Sequence, residues 1–408
     1  MKTMDLHSKL KYYKSQQRKK KPEKSTADNP ALSALAEHFC GIIQNPSAPF
    51  LQIERRHPLA YAQELAAGGN PQIKLSFLSR NQLERPFPLS SVLFFDLETT
   101  GLAGGAGTYP FLFGFGWVEN NSLVVRQFFL PDYGREYGLY HHLQEEFFPS
   151  FEILASYNGK SYDFPLLKNR FILNRLQPVF DRWPHLDLLH VVRRIWKDSF
   201  YACDLATIES NVLNHHRQND IPGYYIPQAY FNFIRTGVIH DVIRIIEHNY
   251  RDIVSLAELL LTLDHIEQQP HTLTDPRARL NLARLAFEQQ DETLLSRLSA
   301  GFRLKSPEYV TSRFWLSLLH KKNKKWTEAE AIWLELRERA EQRYVVLEEL
   351  AKYQEHIRKD YNEALRITEQ ALYHLDILNE LNGYGTNNLS DIKEEFEYRQ
   401  QRLKRKLS

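Results

Sequence analysis

The chain has 408 residues, 43% apolar and 25% charged, with a net charge of +2. That composition suits two or three packed domains with ample core and excludes a disordered chain. No stretch approaches the roughly 18 uninterrupted apolar residues of a membrane helix. Met1 to Lys24 lacks the apolar run of a signal peptide, and Cys40 and Cys203 are too few for a disulfide framework or a Cys-based zinc site. The expectation is a cytoplasmic protein with no membrane partner.

In chain order, residues 1–30 read as a basic, disordered arm. Nine Lys and Arg between Lys2 and Lys24 face only Asp5 and Glu23. Such a run either gathers phosphates by releasing counterions or serves as a solubilising tail. Ala31 to Ile43 reads as a short helix. The rest of 31–88 reads as irregular, punctuated by Pro46, Pro49, Pro58, Gly68-Gly69 and Pro71, and is expected to pack on the domain that follows.

Val92 to Phe95 form a continuous apolar strand that ends in Asp96-Leu97-Glu98-Thr99-Thr100-Gly101. Residues two apart on a strand share a face, so Asp96 and Glu98 present oxygen donors side by side. The pair repels itself unless something positive sits between, and hard divalent cations favour such donors. Alone, a solvated strand end explains the two acids better. The glycines from Gly101 to Gly107 lack the G-x-G-x-x-G order and lead into a strand, which excludes a dinucleotide fingerprint. They allow either close backbone approach to a ligand or a flexible loop.

Strands follow at Phe111–Val118 and Leu123–Leu130, joined by the hairpin signal Glu119-Asn120-Asn121-Ser122. Next come a helix over Tyr137–Phe148, a strand over Phe151–Tyr157, the turn Asn158-Gly159 and a helix over Asp163–Phe171. Asp163 opens that helix, where a carboxylate suits the dipole and the free N–H groups. His185–Leu189 reads as a last strand running into a helix; Asp187 at its end faces the side of the sheet where a site would lie and could support it, but a helix cap is the preferred reading. Tyr224, Tyr225, Tyr230, Phe231 and Phe233 offer stacking faces for bases, but their helical spacing favours core packing. Tyr109 and Trp117 read as packing residues, and His215-His216 beside Arg217 as surface. Val242–Leu263 is an amphipathic helix on which His248 and Asp252, four apart, share a face. A buried Asp252 requires a cation, hydrogen-bond donors or an Arg partner. This order of elements is a mixed α/β architecture.

Over 275–380, Asp291, Trp326 and Tyr361 each open an amphipathic helix, 35 residues apart. That period is close to the roughly 34 residues of tetratricopeptide arrays, against the alternative of an undifferentiated bundle. Residues 381–408 read as a helix with a basic tail containing Arg402, Lys404, Arg405 and Lys406.

Taken together, the runs Phe94–Leu102, Ser156–Pro165 and His248–Leu260 resemble the three motifs of the DEDD superfamily of 3′–5′ exonucleases. In texture they are most similar to its YprB-type bacterial group. The resemblance covers roughly Ser91 to Leu263. It implies a ribonuclease-H-like α/β domain at 89–266, a mixed sheet with flanking helices, followed by an all-α tetratricopeptide-like domain. It implies metal-dependent hydrolysis of single-stranded DNA or RNA with two Mg²⁺ or Mn²⁺ ions roughly 4 Å apart. Asp96, Glu98, Asp163 and Asp252 are then the metal ligands, with Asp96 bridging. Glu98 and Asp252 complete the nucleophile side, and Asp163 holds the other ion through water. His248 orients and deprotonates the attacking water; its spacing matches the Tyr subgroup of the superfamily and its residue type the His subgroup. Thr99 and Leu102 touch the terminal nucleotide, and Asn158 and Lys160 are further substrate-binding candidates, although an exposed loop explains Lys160 equally well. The helical repeats would dock a protein partner or guide the strand. The rival expectation is a non-catalytic scaffold on the same frame that binds nucleic acid or protein.

Overall fold

Among the described residues seven strands make one sheet in the order β1-β2-β7-β6-β5-β8-β9. They are β1 (Ile42–Gln44), β2 (Phe50–Pro58), β5 (Val92–Thr99), β6 (Pro110–Glu119), β7 (Ser122–Phe129), β8 (Ile153–Ser156) and β9 (His185–Asp187). A separate two-stranded ribbon pairs β3 (Gln72–Ile73) with β4 (Phe87–Pro88). The computed structural model describes residues 29–59, 71–75, 77–79, 85–101, 107–338, 343–382 and 387–408. Residues 1–28, which hold all the Lys and Arg of the arm, and Leu102 lie outside the described residues.

From β1 to β5 the pairing is antiparallel, and β5-β8-β9 are parallel. The β6–β7 hairpin turns on Asn120 and Asn121, both at positive φ, the conformation that two-residue hairpin turns demand. The segment before Pro88 departs from the irregular reading. Pro49 and Pro58 bracket a nine-residue strand, β2, that pairs along the whole of β7. Proline is tolerated at strand ends, where no ladder N–H is lost. The first helix, α1 (Pro30–Phe39), is also shorter than expected. It stops at Cys40, whose φ of 51° is left-handed, and releases the chain into β1.

Alternation along β5 divides its side chains between the two faces of the sheet. Leu93, Phe95 and Leu97 join one core with Phe113, Phe115 and Phe128, covered by α2 (Tyr137–His142), the turns to Phe151 and α3 (Asp163–Leu173). Asp96 and Glu98 occupy the other face. A second core there contains Leu51, Ile53, Leu112 and Phe129 with residues of α1, α6 (Ile226–Thr236) and α7 (His240–Gln268). In it Tyr230 stacks on Phe111 with centroids 3.8 Å apart, and Phe233 is buried, whereas Tyr224 and Phe231 are exposed. Between α3 and α6 lie α4 (Leu188–Trp196) and the short α5 (Leu205–Ile208).

Two glycines let α7 approach the sheet. A Cβ at Gly114 would fall 2.2 Å from Asn249 Oδ1, and one at Gly116 2.5 Å from Ile253 Cγ2. Glycine at alternate strand positions is the mark of such close approach.

The chain divides into two units. The first runs to Val191 and includes Asp204–Asp264; the second combines Val192–Cys203 with His265–Ser408. The second is helical: α8 (Pro276–Glu288), α9 (Glu292–Ala300), α10 (Pro307–Lys322), α11 (Trp326–Leu336), α12 (Arg343–Tyr353), α13 (Tyr361–Asn382) and α14 (Asn387–Leu407). Asp275, Asp291 and Ser306 cap α8, α9 and α10 with side-chain oxygens. Trp326 and Tyr361 open helices as expected, and Ala329 and Ala364, three residues on, are buried. Residues 192–203 are bound into this unit by Asn281, which donates to the Ile195 carbonyl at 3.1 Å, and Arg277, which donates to that of Asp198 at 3.2 Å. Arg399, Arg402 and Lys406 of α14 converge on Glu355, which is fully buried. Among the described residues no helix is long and apolar enough to cross a membrane.

Candidate active site

Asp96 and Glu98 stand at the C-terminal end of β5, with a register irregularity between Glu98 and Thr99. Opposite them, α7 brings three side chains, His248, Asn249 and Asp252, to the same place. Asn249 donates to Asp96 Oδ2 at 2.9 Å. His248 Nε2 lies 3.9 Å from Glu98 Oε1 and 3.5 Å from Asp252 Oδ2. One ligand atom each from Glu98, His248 and Asp252 can be chosen so that all lie within 4.8 Å of one another. The three side chains are 12–15% exposed, so the cluster is nearly enclosed.

Asp163 comes from the start of α3, where it is 8% exposed. The turn before it is held by several hydrogen bonds. Asn158 adopts a φ of 64°. The Asp187 carboxylate accepts from the backbone N–H of Asn158 at 2.8 Å, Lys160 at 3.1 Å and Leu189 at 3.1 Å. Asp187 therefore caps its helix, as expected, and also holds the turn that aims Asp163. Tyr162 adds a tie by donating to the Gly101 carbonyl, which also accepts from Thr99 Oγ1 at 2.7 Å.

The electrostatics follow from crowding. Burial raises the pKa of Asp96 well above the usual carboxylate range, and the charges of Asp252 and Asp163 add to it. Glu98 is raised well above its usual range by burial, then by Asp96, Asp252 and Asp163. Burial and the neighbouring Asp187 raise Asp163 to about 7. Asp252 is raised by burial, an effect offset in part by His248 and Arg217. Burial works against a charged His248 ring, but the hydrogen bond to Asp220 and the charges of Asp252 and Asp220 hold its pKa above the usual value.

The loop after α5 supplies partners that sequence pattern places at the surface or does not mark at all. His215 and His216 are exposed. Arg217 instead turns inward and forms a fork on buried Glu209, with Nε–Oε2 2.5 Å and Nη2–Oε1 2.6 Å. It also donates to Asp252 Oδ1 and, at 2.9 Å, to Asp220 Oδ2. Ser255 completes Glu209 at 2.6 Å. Asp220 in turn meets His248 Nδ1 at 2.8 and 2.9 Å.

Asn249 is a further site residue that sequence reasoning missed. Its amide is oriented by Gln127, whose Nε2 donates to Asn249 Oδ1 at 2.8 Å, and Gln127 is fixed by Arg55 at 2.8 Å. Both amides are fully buried. The signal that could have found Asn249 is the Gly114-x-Gly116 spacing of β6.

The geometry thus brings Asp96, Glu98, His248 and Asp252 together, with Asp163 close enough for its charge to act on Asp96 and Glu98. The Thr99 hydroxyl is engaged in the loop. Asn158 is exposed and Lys160 half-buried, and Leu102 lies outside the described residues.

A model of the ribonuclease H superfamily matches residues 93–263. The chain is also 34% identical over 305 residues, 73% of each chain, to YprB of Bacillus subtilis (strain 168), itself described as uncharacterized. It belongs to the YprB-type ribonuclease-H-like family. The architecture expected of that family is present: a mixed sheet with flanking helices, then a helical region. Among solved structures, a family B DNA polymerase from the hyperthermophilic archaeon Pyrobaculum calidifontis aligns at 16% identity with a TM-score of 0.31. That alignment spans 58% of this chain but 30% of the polymerase, a likeness too low to carry an argument.

Proposed function

We propose that the protein is a metal-dependent 3′–5′ exonuclease acting on single-stranded nucleic acid. One observation carries the reading. Three largely enclosed carboxylates from one sheet face and one helix, Asp96, Glu98 and Asp252, and a fourth, Asp163, whose charge acts on Asp96 and Glu98, are all pushed towards protonation. Such a set is unfavourable to fold without a compensating positive charge. Of these four acids Arg217 pairs with Asp252 only, and His248 offsets Asp96 and Asp252 in part; Asp96, Glu98 and Asp163 are oxygen donors of the kind Mg²⁺ and Mn²⁺ take.

When bound, two such ions would supply a nucleophile at neutral pH and relieve the leaving oxygen of its charge. Asp96, on β5, would serve both ions by resemblance to the superfamily, and the Asn249 amide holds its Oδ2. Glu98 and Asp252 would hold one ion and Asp163 the other. By resemblance to the superfamily, His248 orients and deprotonates the attacking water. Thr99, Leu102, Asn158 and Lys160 remain the candidates for holding the strand end, and the helical unit for docking a partner.

The test uses the full chain with single-stranded DNA and RNA, one end labelled and either end blocked, in Mn²⁺ or EDTA. Shortening from a free 3′ end in Mn²⁺, and none in EDTA or with that end blocked, is the expected result. Digestion of a 3′-blocked strand, or digestion in EDTA, contradicts it, and a scaffold would bind the strand and leave it intact.

A further inference from the structure

We propose that His248 is itself a metal ligand through Nε2, and that Asp220 is the positioning residue that fixes it in that role. The inference rests on the metal-dependent reading above and changes the part His248 plays in it.

Asp220 places both carboxylate oxygens within 2.9 Å of His248 Nδ1. An ionised carboxylate only accepts, so Nδ1 carries a proton, and in the neutral ring, the form that can bind a metal, the lone pair is on Nε2. Asp220 is anchored independently, by Arg217 Nη1 at 2.9 Å and by the Ile221 N–H at 3.0 Å. Arg217 Nη1 also lies 3.1 Å from Nδ1; a guanidinium only donates, so with Nδ1 protonated this is a contact between two donors that share the Asp220 carboxylate.

Nε2 then faces Asp252 Oδ2 at 3.5 Å and Glu98 Oε1 at 3.9 Å. Around a cation with bonds of about 2.0–2.2 Å, neighbouring ligand atoms stand roughly 3–3.6 Å apart, so small side-chain adjustments close the set. Asp252 is divided in the same way as the histidine: Oδ1 is taken by Arg217 and Oδ2 is presented to the cluster. Each of the two helical side chains offers one atom inward and has its other atom tied from behind. A carboxylate on the far nitrogen is the usual outer partner of a metal-bound imidazole. Nε2 has a single lone pair, so coordination excludes service as the base for water.

A nitrogen donor also changes the preferred ion. Imidazole shifts an oxygen site away from Mg²⁺ and towards first-row transition ions, of which Mn²⁺ is the probe.

The full chain loaded with Mn²⁺ should show, by pulsed electron paramagnetic resonance, the ¹⁴N coupling of a directly bound imidazole. His248→Ala should lose that coupling and weaken Mn²⁺ binding in calorimetry at least tenfold, with a smaller loss for Mg²⁺. Asp220→Asn should weaken Mn²⁺ binding by about 10–100-fold while the coupling persists at saturating metal. Bound Mn²⁺ without nitrogen coupling in the wild type, or coupling that survives His248→Ala, overturns the inference and leaves the metal-dependent reading standing. No Mn²⁺ binding at all overturns both. Should His248→Ala fail to fold, the wild-type spectrum decides.

Discussion

Asn249 carries no charge and takes no part in the carboxylate set, yet it decides how Asp96 is presented, because its amide is clamped between Gln127 and that carboxylate. The acids around it repel one another. Asp96→Asn or Asp163→Asn should abolish hydrolysis, since each removes a proposed metal ligand, and should leave metal-free melts unchanged or higher, since each removes a repelling charge. Wild-type turnover in either variant removes the two-metal site. The pH dependence has a definite sign. Asp163 is raised to about 7 in the folded chain, against about 3.9 when unfolded. Between those values the folded state binds the extra proton, so stability falls as pH rises through the window. In EDTA the Tm should drop between pH 5 and pH 8, and Asp163→Asn should shallow that drop; parallel curves for the two proteins contradict it. The acids were legible in the sequence because their spacing is local: two apart on a strand, first in a helix, four apart on a helix. Arg217 and Asp220 were not, because a loop brings them to Asp252 and His248 across 35 and 28 residues, and no local pattern marks a loop residue that turns inward.

At the scale of elements, the distance between α7 and the sheet is set by two missing side chains. Gly114→Ala drives a Cβ into the Asn249 amide, whereas Gly116→Ala meets Ile253 most closely. Both should cost about 1–3 kcal/mol of stability through overpacking. Only Gly114→Ala should also weaken Mn²⁺ binding, because it displaces the amide from Asp96. Melts and Mn²⁺ titrations of the pair check this, and equal metal affinities would separate Asn249 from the site. Strand order from β5 onward was readable, since apolar runs and the Asn-Asn hairpin announce it. β2 was hidden by composition: its apolar residues are Phe50, Leu51 and Ile53, and the charged run Glu54-Arg55-Arg56 follows. Those charges are used, for Arg55 sits 3.7 Å over the ring of Tyr250 and bonds Glu247 and Gln127.

At the scale of the whole molecule, the basic arm and the division into units each make a prediction. Deleting residues 1–24 removes nine Lys and Arg. The salt dependence of single-strand binding should flatten by about 0.7 in log–log slope for each phosphate that the arm had neutralised; an unchanged slope makes the arm a tail without a role in binding. A chain ending at Asp264 lacks the partners of residues 192–203, including Asn281 and Arg277, and should give little soluble protein. A soluble fragment with a sharp melt would show that the 192–203 segment folds without them. No sequence signal announced this borrowing, because unit membership is a matter of which surfaces meet and not of local composition. It also fixes a timetable for biogenesis. Ile195 and Trp196, both buried in the finished protein, leave the ribosome well before their unit exists. The Ile195 carbonyl waits for an amide 86 residues further on, which at about 5–20 residues per second takes roughly 4–17 s. For that interval an apolar face in mid-chain is open to chaperones and proteases, and slow-translating codons after position 203 would lengthen the exposure.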